Sequence, residues 1–257
     1  MKVAVIQHDI AWEAPQQTHD RLRPMIRAAT DDGARLVVLT EMYATGFSMA
    51  SHQIAEPPGG PSTAFLVEQA AATGAWVCGS VPTRDCADAQ PVNRFVLAGP
   101  AGQLHHYDKL HPLTYAGEHE HYRGGDGTIT VDVEGLRLTP FVCYDLRFAD
   151  DFWAEAPHTD VYVVVANWPA SRREHWQTLL RARAIENQAY VVGANRVGQG
   201  GGIDYSGDSC IVGPFGELLA VAEPGAEQTI AAEVTAARVR EVRERYPFLR
   251  DRRTHAG

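Results

Sequence analysis

Short apolar runs alternate along the chain with stretches whose apolar residues recur at the helical period near 3.6, which separates strand from helix. Short Val- and Ile-rich runs at 3–7 (VAVIQ), 35–40 (RLVVLT), 75–81 (AWVCGSV) and 94–99 (RFVLAG) read as buried strands. Residues 128–133, 136–143, 161–167, 189–195, 210–214 and 229–234 read the same way. Three stretches between them follow the helical period. Residues 16–32 bring Leu22, Met25, Ile26 and Ala29 to one face and stop at Gly33, a residue suited to a helix C-terminus. Pro61–Thr73 stops likewise at Gly74, and 172–188 gathers Trp176, Leu179, Leu180 and Ile185.

No linker rich in Pro, Gly or Ser interrupts this alternation, and no segment repeats at a fixed period. The pattern predicts a single α/β domain over residues 1–257. Ten strands are many for one sheet of ordinary size. Two mixed β-sheets packed face to face, with helices on the outer sides, would hold them. An apolar content of 45% is enough to fill such a core.

Composition then narrows the function. No run approaches the roughly 20 apolar residues of a membrane span. The opening MKVAVIQHDI lacks the apolar core and small-residue cleavage site of a secretory signal, so the expectation is a cytoplasmic protein. A net charge of −9 argues against a nucleic-acid partner. The basic stretch 238–253 is interleaved with Glu241, Glu244 and Asp251 and reads as a solvated helix face. Cys78, Cys86, Cys143 and Cys210 lack CxxC spacing, which fits reduced thiols better than disulfides or zinc.

Three residues stand out chemically. In RLTPFVCYDLRF, Cys143 closes an apolar run and precedes a polar turn, so its sulfur is delivered to the carboxyl end of a strand. Ligand sites of α/β sheets lie at such ends. Glu41 ends another strand in RLVVLTEM, where a partly dry setting would suit a general base. Lys109, in HHYDKLHP, follows a turn at 99–102 and a short strand. Each has an ordinary reading too: a packed thiol, a solvated glutamate and a solvated loop lysine. Cys78 and Cys210, beside Val77 and Ile211, fit packing.

Glu, Lys and Cys at three strand ends, in this order, resemble the nitrilase superfamily of carbon–nitrogen hydrolases. The similarity spans nearly the whole chain: VAVIQHDIAWE, LTEMYATGFSM, YDKLHP, FVCYDLRF, NWPASRREHWQTLLRARAIENQAYVVGANRVG and YSGDSCIVGPFGE. EMYATGFSM and the long NWP…NRVG block resemble the ω-amidase branch. The resemblance implies a four-layer αββα sandwich and a triad of Glu41, Lys109 and Cys143. It also implies a second glutamate, Glu118 or Glu120, in TYAGEHEHY. Glu41 would take the Cys143 proton, and Lys109 with the Tyr144 backbone N–H would meet the oxyanion of the attacked amide. A thioester and ammonia follow, then hydrolysis. No cofactor and no metal has a step to perform. One departure is RFADDF where many members read RFPE, which alters the turn after the nucleophile.

The branch implies short dicarboxylate monoamides such as 2-oxoglutaramate and 2-oxosuccinamate. A partner for the far carboxylate is then required, and Arg147, Arg173, Tyr43, His119 and His121 are candidates, with Phe47 and Trp168 as pocket walls. Other amides of the superfamily, deaminated glutathione or N-carbamoyl compounds, are the enzymatic alternatives. A non-catalytic binding protein on the same fold and a thiol redox protein are the others. The histidines at 105, 106, 111, 119 and 121 cluster in sequence without a HExxH motif. HEHY suits a strand, and GQGGGIDYSGDS reads as a flexible turn. Ser209 lies in no GxSxG elbow. The family pairs such sandwiches, so a homodimer or larger assembly is expected, with the tail at about 246–257 a candidate for the interface.

Overall fold

The first strand already contains the plan of the molecule. In β1 (Lys2–Gln7), Val3 and Val5 point to one apolar cluster and Ala4 and Ile6 to another, and all four are buried. A strand dry on both faces belongs inside a layered structure, because successive side chains leave a strand on opposite sides. The same split recurs at Leu36 and Val38 against Val37, and at Phe95 and Leu97 against Val96.

The computed structural model describes residues 1–253, so residues 254–257 of the expected interface tail lie outside the described residues. After β1 come α1 (Pro15–Asp31), β2 (Leu36–Val38), α2 (Ser51–Ile54), α3 (Pro61–Thr73), β3 (Trp76–Thr83), β4 (Val92–Ala98) and β5 (Leu104–Asp108). Then follow α4 (Glu118–His121), β6 (Val131–Val133), β7 (Leu136–Val142), α5 (Ala149–Glu155), β8 (Val161–Ala166), α6 (Arg173–Asn187) and β9 (Tyr190–Asn195). The chain ends with β10 (Val197–Gly200), β11 (Ile203–Ser206), β12 (Cys210–Val212), β13 (Leu218–Val221), β14 (Gln228–Glu233) and α7 (Ala236–Arg245).

One six-stranded sheet has the order β14–β1–β2–β3–β4–β5 and the other β13–β12–β9–β8–β7–β6. Parallel pairing holds β1–β2–β3 in the first and β7–β8–β9 in the second, with antiparallel strands at the flanks. Leu22, Ile26, Phe65 and Leu66 of α1 and α3 cover the outer face of the first sheet. A second cluster joins Val5, Val38 and Phe95 to β7, β8 and β9 and continues to Phe152, Trp176 and Leu180 of α5 and α6. Each such fully buried side chain contributes roughly 1.5–3 kcal/mol. The result is the four-layer αββα sandwich.

β10, β11 and β13 lie outside the expected strands. The glycine-rich GQGGGIDYSGDS is no free turn: β10 and β11 pair antiparallel as a separate hairpin. β13 is an exposed edge strand, so its Leu and Val positions carry no alternating signal. HEHY is helical over His119–His121, the last residues of α4, and Tyr122 leaves the helix in an extended conformation. The basic stretch after Val234 forms α7, capped by the Thr235 hydroxyl on the Arg238 N–H at 3.2 Å. Its face is only partly solvated, since the Arg243 guanidinium donates to the carbonyls of Ala156, Thr159, Asn187 and Gln188.

Candidate active site

Each central residue leaves the carboxyl end of a strand, and neighbouring strand ends hold it. After β2 the chain turns at Glu41 and Met42, the latter at φ +39°. Glu41 is wholly buried and surrounded by donors. Its Oε1 accepts Asn93 Nδ2 at 2.8 Å and Lys109 Nζ at 3.1 Å, and its Oε2 accepts the Asn167 N–H at 2.8 Å. Ser80 orients Asn93, donating to its Oδ1 at 2.7 Å while accepting the Met42 N–H at 2.8 Å. Asn167 also donates through Nδ2 to the Glu41 carbonyl at 2.5 Å.

Lys109 follows β5 and is buried as well. Its Nζ donates to both oxygens of Glu118, at 2.9 and 2.8 Å. Glu118 Oε2 also accepts the Leu113 N–H at 2.6 Å. Burial alone would lower the Lys109 pKa, but the Glu118 and Glu41 charges outweigh it and hold the ammonium well above its ordinary range. Burial raises the Glu118 carboxyl, with Lys109 opposing. Glu120 is exposed, so Glu118 is the second glutamate of the cluster.

Cys143 directly follows β7 and opens a tight helical turn over Cys143–Arg147, with φ +47° at the cysteine itself. A left-handed conformation at a residue with a Cβ costs on the order of 1–3 kcal/mol and has to be held by its surroundings. Asp145 does much of the holding. Its carboxylate accepts the Val142 N–H at 3.0 Å, the Tyr107 hydroxyl at 2.8 Å and the His111 N–H at 2.9 Å. Arg183, from α6, grips the Leu146 carbonyl with Nε at 3.2 Å and Nη2 at 2.7 Å. Burial, then the Glu41 charge, pushes the Cys143 thiol well above its ordinary pKa, with Lys109 opposing. The resting sulfur therefore keeps its proton, and a base must remove it as a bond forms.

The sulfur opens on a cavity of about 470 Å³. Phe47, Leu113, Trp168, Pro169 and Ile203 give it apolar walls, and Tyr144, Arg147, Asn167, Ser171, Arg172 and Tyr205 bring polar groups. Trp168 is fixed by its N–H to Asn195 Oδ1 at 2.7 Å and its indole N–H to the Arg172 carbonyl at 2.9 Å. The Phe47 ring lies 5.2 Å from Lys109 Nζ. Arg147 lies 4.9 Å over the Trp168 ring and contacts His175 Nδ1 at 3.1 Å. Neither Arg147 nor Arg172 pairs with a carboxylate among the described residues.

Other sequence candidates stand elsewhere. Tyr43 is buried in the α1–α3 layer, where its hydroxyl donates to the Ser62 carbonyl at 2.6 Å. Arg173 is engaged by Asp208 at 2.5 Å, while its neighbour Arg172 faces the cavity. His119 and His121 sit on α4 and do not line the cavity. His111 stacks on Phe148 at 3.6 Å and meets Asp151 at 2.7 Å. Among the described residues no group of three His, Cys, Asp or Glu side chains is arranged to hold a metal. Asn93, Asn167, Asp145, Arg183, Arg172 and Tyr205 were not singled out as site residues by sequence. The two asparagines carry the same signal as the triad, a polar residue at or near a strand end.

The carbon–nitrogen hydrolase family model matches residues 2–244. The omega-amidase YafV of Escherichia coli K12 is 38% identical over 255 residues, covering 98% of this chain and 96% of that protein. The 2-oxoglutaramate amidase of Bacillus subtilis is 31% identical over 256 residues, covering 97% of this chain and 96% of its own. The crystal structure of XC1258 from Xanthomonas campestris, a CN-hydrolase superfamily protein with an arsenic adduct in the active site, superposes with a TM-score of 0.93. It is 34% identical and covers 100% of this chain and 98% of that one. With the family pattern matched along almost the entire sequence, the two-sheet sandwich shared and the relatives similar over nearly their full length, this chain belongs to the carbon–nitrogen hydrolase family.

Proposed function

We propose that the protein is an ω-amidase-type amidohydrolase, cleaving the terminal amide of small carboxylate-bearing amides such as 2-oxoglutaramate through a thioester on Cys143. One observation carries the substrate class: two guanidinium groups without carboxylate partners share a cavity with the sulfur, in a chain of net charge −9. A carboxylate at the far end of the substrate would satisfy them with charge-assisted hydrogen bonds. The relatives' names, omega-amidase and 2-oxoglutaramate amidase, support the same class.

In this reading Glu41 takes the Cys143 proton as the sulfur attacks the amide carbon. Lys109 supplies positive charge to the developing oxyanion, and the Tyr144 N–H supplies a second donor. Collapse of the adduct expels nitrogen, protonated by Glu41, and leaves the thioester. Water, deprotonated by Glu41, attacks the thioester carbonyl, and the acid leaves as the sulfur regains a proton. Glu118 keeps Lys109 oriented and charged throughout. Because the thiol is held protonated, proton transfer and attack are coupled, which requires acid and sulfur in contact.

The protein acts in the cytoplasm and as a homodimer or larger homo-oligomer. Exposed Ile185 on α6, Leu218 and Val221 on β13, and Phe215 between β12 and β13 form an apolar surface that supports self-association. The described part of the tail adjoins it, with Tyr246 stacked 4.9 Å from Phe215.

The test is ammonia release from 2-oxoglutaramate compared with deaminated glutathione and N-carbamoyl amino acids, with mass spectrometry for an acyl group on Cys143. Faster turnover of 2-oxoglutaramate with an adduct on Cys143 supports the reading. Preference for either competitor, or turnover by Cys143→Ala, overturns it.

A further inference from the structure

The cavity holds a hydroxyl that the steps above leave unused. Six tyrosines are buried: Tyr43, Tyr107, Tyr122, Tyr162, Tyr190 and Tyr205. Buried tyrosine hydroxyls ordinarily find a partner. Tyr43, Tyr107, Tyr122 and Tyr162 donate to Ser62 O, Asp145, Ser48 O and Phe152 O at 2.6–2.8 Å. Tyr190 accepts the Thr235 N–H at 3.4 Å. Tyr205 is only 4% exposed, yet its hydroxyl has no hydrogen-bond partner among the described residues. It lines the same cavity as the Cys143 sulfur.

The ring is held in place for this position. The Arg196 guanidinium lies 4.7 Å over it and is itself anchored to Asp9 at 2.7 Å and to the Gln199 carbonyl at 3.1 Å. β11, which carries Tyr205, packs on the tight turn Ala170–Arg172. Tyr205 thus shares the cavity with Cys143 and Arg172 and feels the charges of Arg196, Glu41 and Arg172. Burial pushes its phenol up to about 12, so at neutral pH it keeps its proton and can donate it.

A 2-oxo amide stretched from the sulfur to the guanidinium groups carries its ketone between the reacting amide and the far carboxylate. A ketone oxygen accepts a hydrogen bond and has none to give. We propose that the Tyr205 hydroxyl is a specificity-determining group that donates a hydrogen bond to the 2-oxo oxygen of the substrate. This rests on the function proposed above and adds to it the residue that separates a 2-oxo amide from its deoxy analogue.

The test compares the parent enzyme and Tyr205→Phe on 2-oxosuccinamate and on succinamate, which lacks only the ketone. The readout is the ratio of the two kcat/KM values, which does not depend on how much of a preparation is folded. Phenylalanine keeps the ring under Arg196. The ratio should drop about 10-fold, the worth of one buried hydrogen bond, mostly through KM on the 2-oxo substrate. An unchanged ratio, from equal losses or none, overturns the role of Tyr205 while leaving the amidase reading intact. A parent enzyme that cleaves neither compound overturns the amidase reading and this inference with it.

Discussion

Asp145 offers a perturbation in which stability and activity should part company. Replacing it with Asn preserves shape and exchanges one acceptor oxygen for an NH₂ group. The cheapest orientation keeps the amide oxygen on the Val142 N–H and the Tyr107 hydroxyl, leaving the His111 N–H facing another donor. One buried unpaired group costs about 1–3 kcal/mol. Burial, however, has pushed Asp145 from 3.8 up to about 6, so its ionised form costs the fold about 3 kcal/mol at neutral pH. Asn avoids that cost, and the two effects nearly cancel. Asp145→Asn should therefore stay within about 2 kcal/mol of the parent in urea unfolding at neutral pH. Its kcat/KM should nonetheless fall on the order of 100-fold, because the turn holding Cys143 at φ +47° loses a tether and the sulfur shifts. The pH dependence has a fixed sign. A carboxyl whose folded pKa is raised contributes stability that is complete below its unfolded value and is lost as pH rises through about 6. The parent-minus-variant stability should accordingly drop by about 3 kcal/mol between roughly pH 3.5 and 6.5. Tryptophan fluorescence during urea titration, repeated across that range, measures it. A difference that is flat with pH, or a fully active variant, would refute the reasoning.

The remaining predictions concern other groups. His8 is buried, with Nδ1 3.1 Å from the Asp9 carbonyl and Nε2 3.1 Å from the Thr40 hydroxyl, and burial lowers its pKa from 6.5 to about 4. The stability this neutral ring contributes is present above 6.5 and lost as pH falls through 4, a loss of about 3 kcal/mol. His8→Asn should be less stable at neutral pH yet show a shallower acid limb in thermal melts; an unchanged limb would contradict the assignment. Arg172→Met should raise KM for a carboxylate-bearing amide about 10- to 100-fold, the worth of a charge-assisted hydrogen bond, and leave a neutral amide such as butyramide nearly unaffected. Steady-state kinetics on the pair decides it, and equal effects on both would point to a distorted cavity instead.

The layers and the charged cluster were readable for a common reason. Apolar runs place the strands, and their ends break visibly, at Glu41 in one and at the polar turn after Cys143 in another. What escaped depends on geometry that no period encodes. Arg172 and Arg173 differ by one position, and the start of α6 decides that Arg173 meets Asp208 while Arg172 meets the cavity. Tyr43 lies two residues from Glu41, but the turn between them sends its ring to the other side of the sheet. The β10–β11 hairpin is set by crowding: a Cβ at Gly198 would stand 2.2 Å from Asp9 Oδ1, and one at Gly207 would stand 2.2 Å from Gln7. Gly198 within it and Gly207 just past it therefore mark close approach, where the sequence suggests only looseness.

Glu41 and Lys109 hang from one sheet, Cys143 and Asn167 from the other, so the gap between acid and sulfur is spanned by interior side chains such as Val38 and Phe141. The hydrocarbon filling acts as a gauge block for the chemistry. A methylene added or removed there alters the span over which a proton must hop before it alters whether the chain folds. Turnover should thus register interior volume changes that melting temperature barely notices, and the tolerance of this core to repacking is narrower for a working catalyst than for a merely folded one.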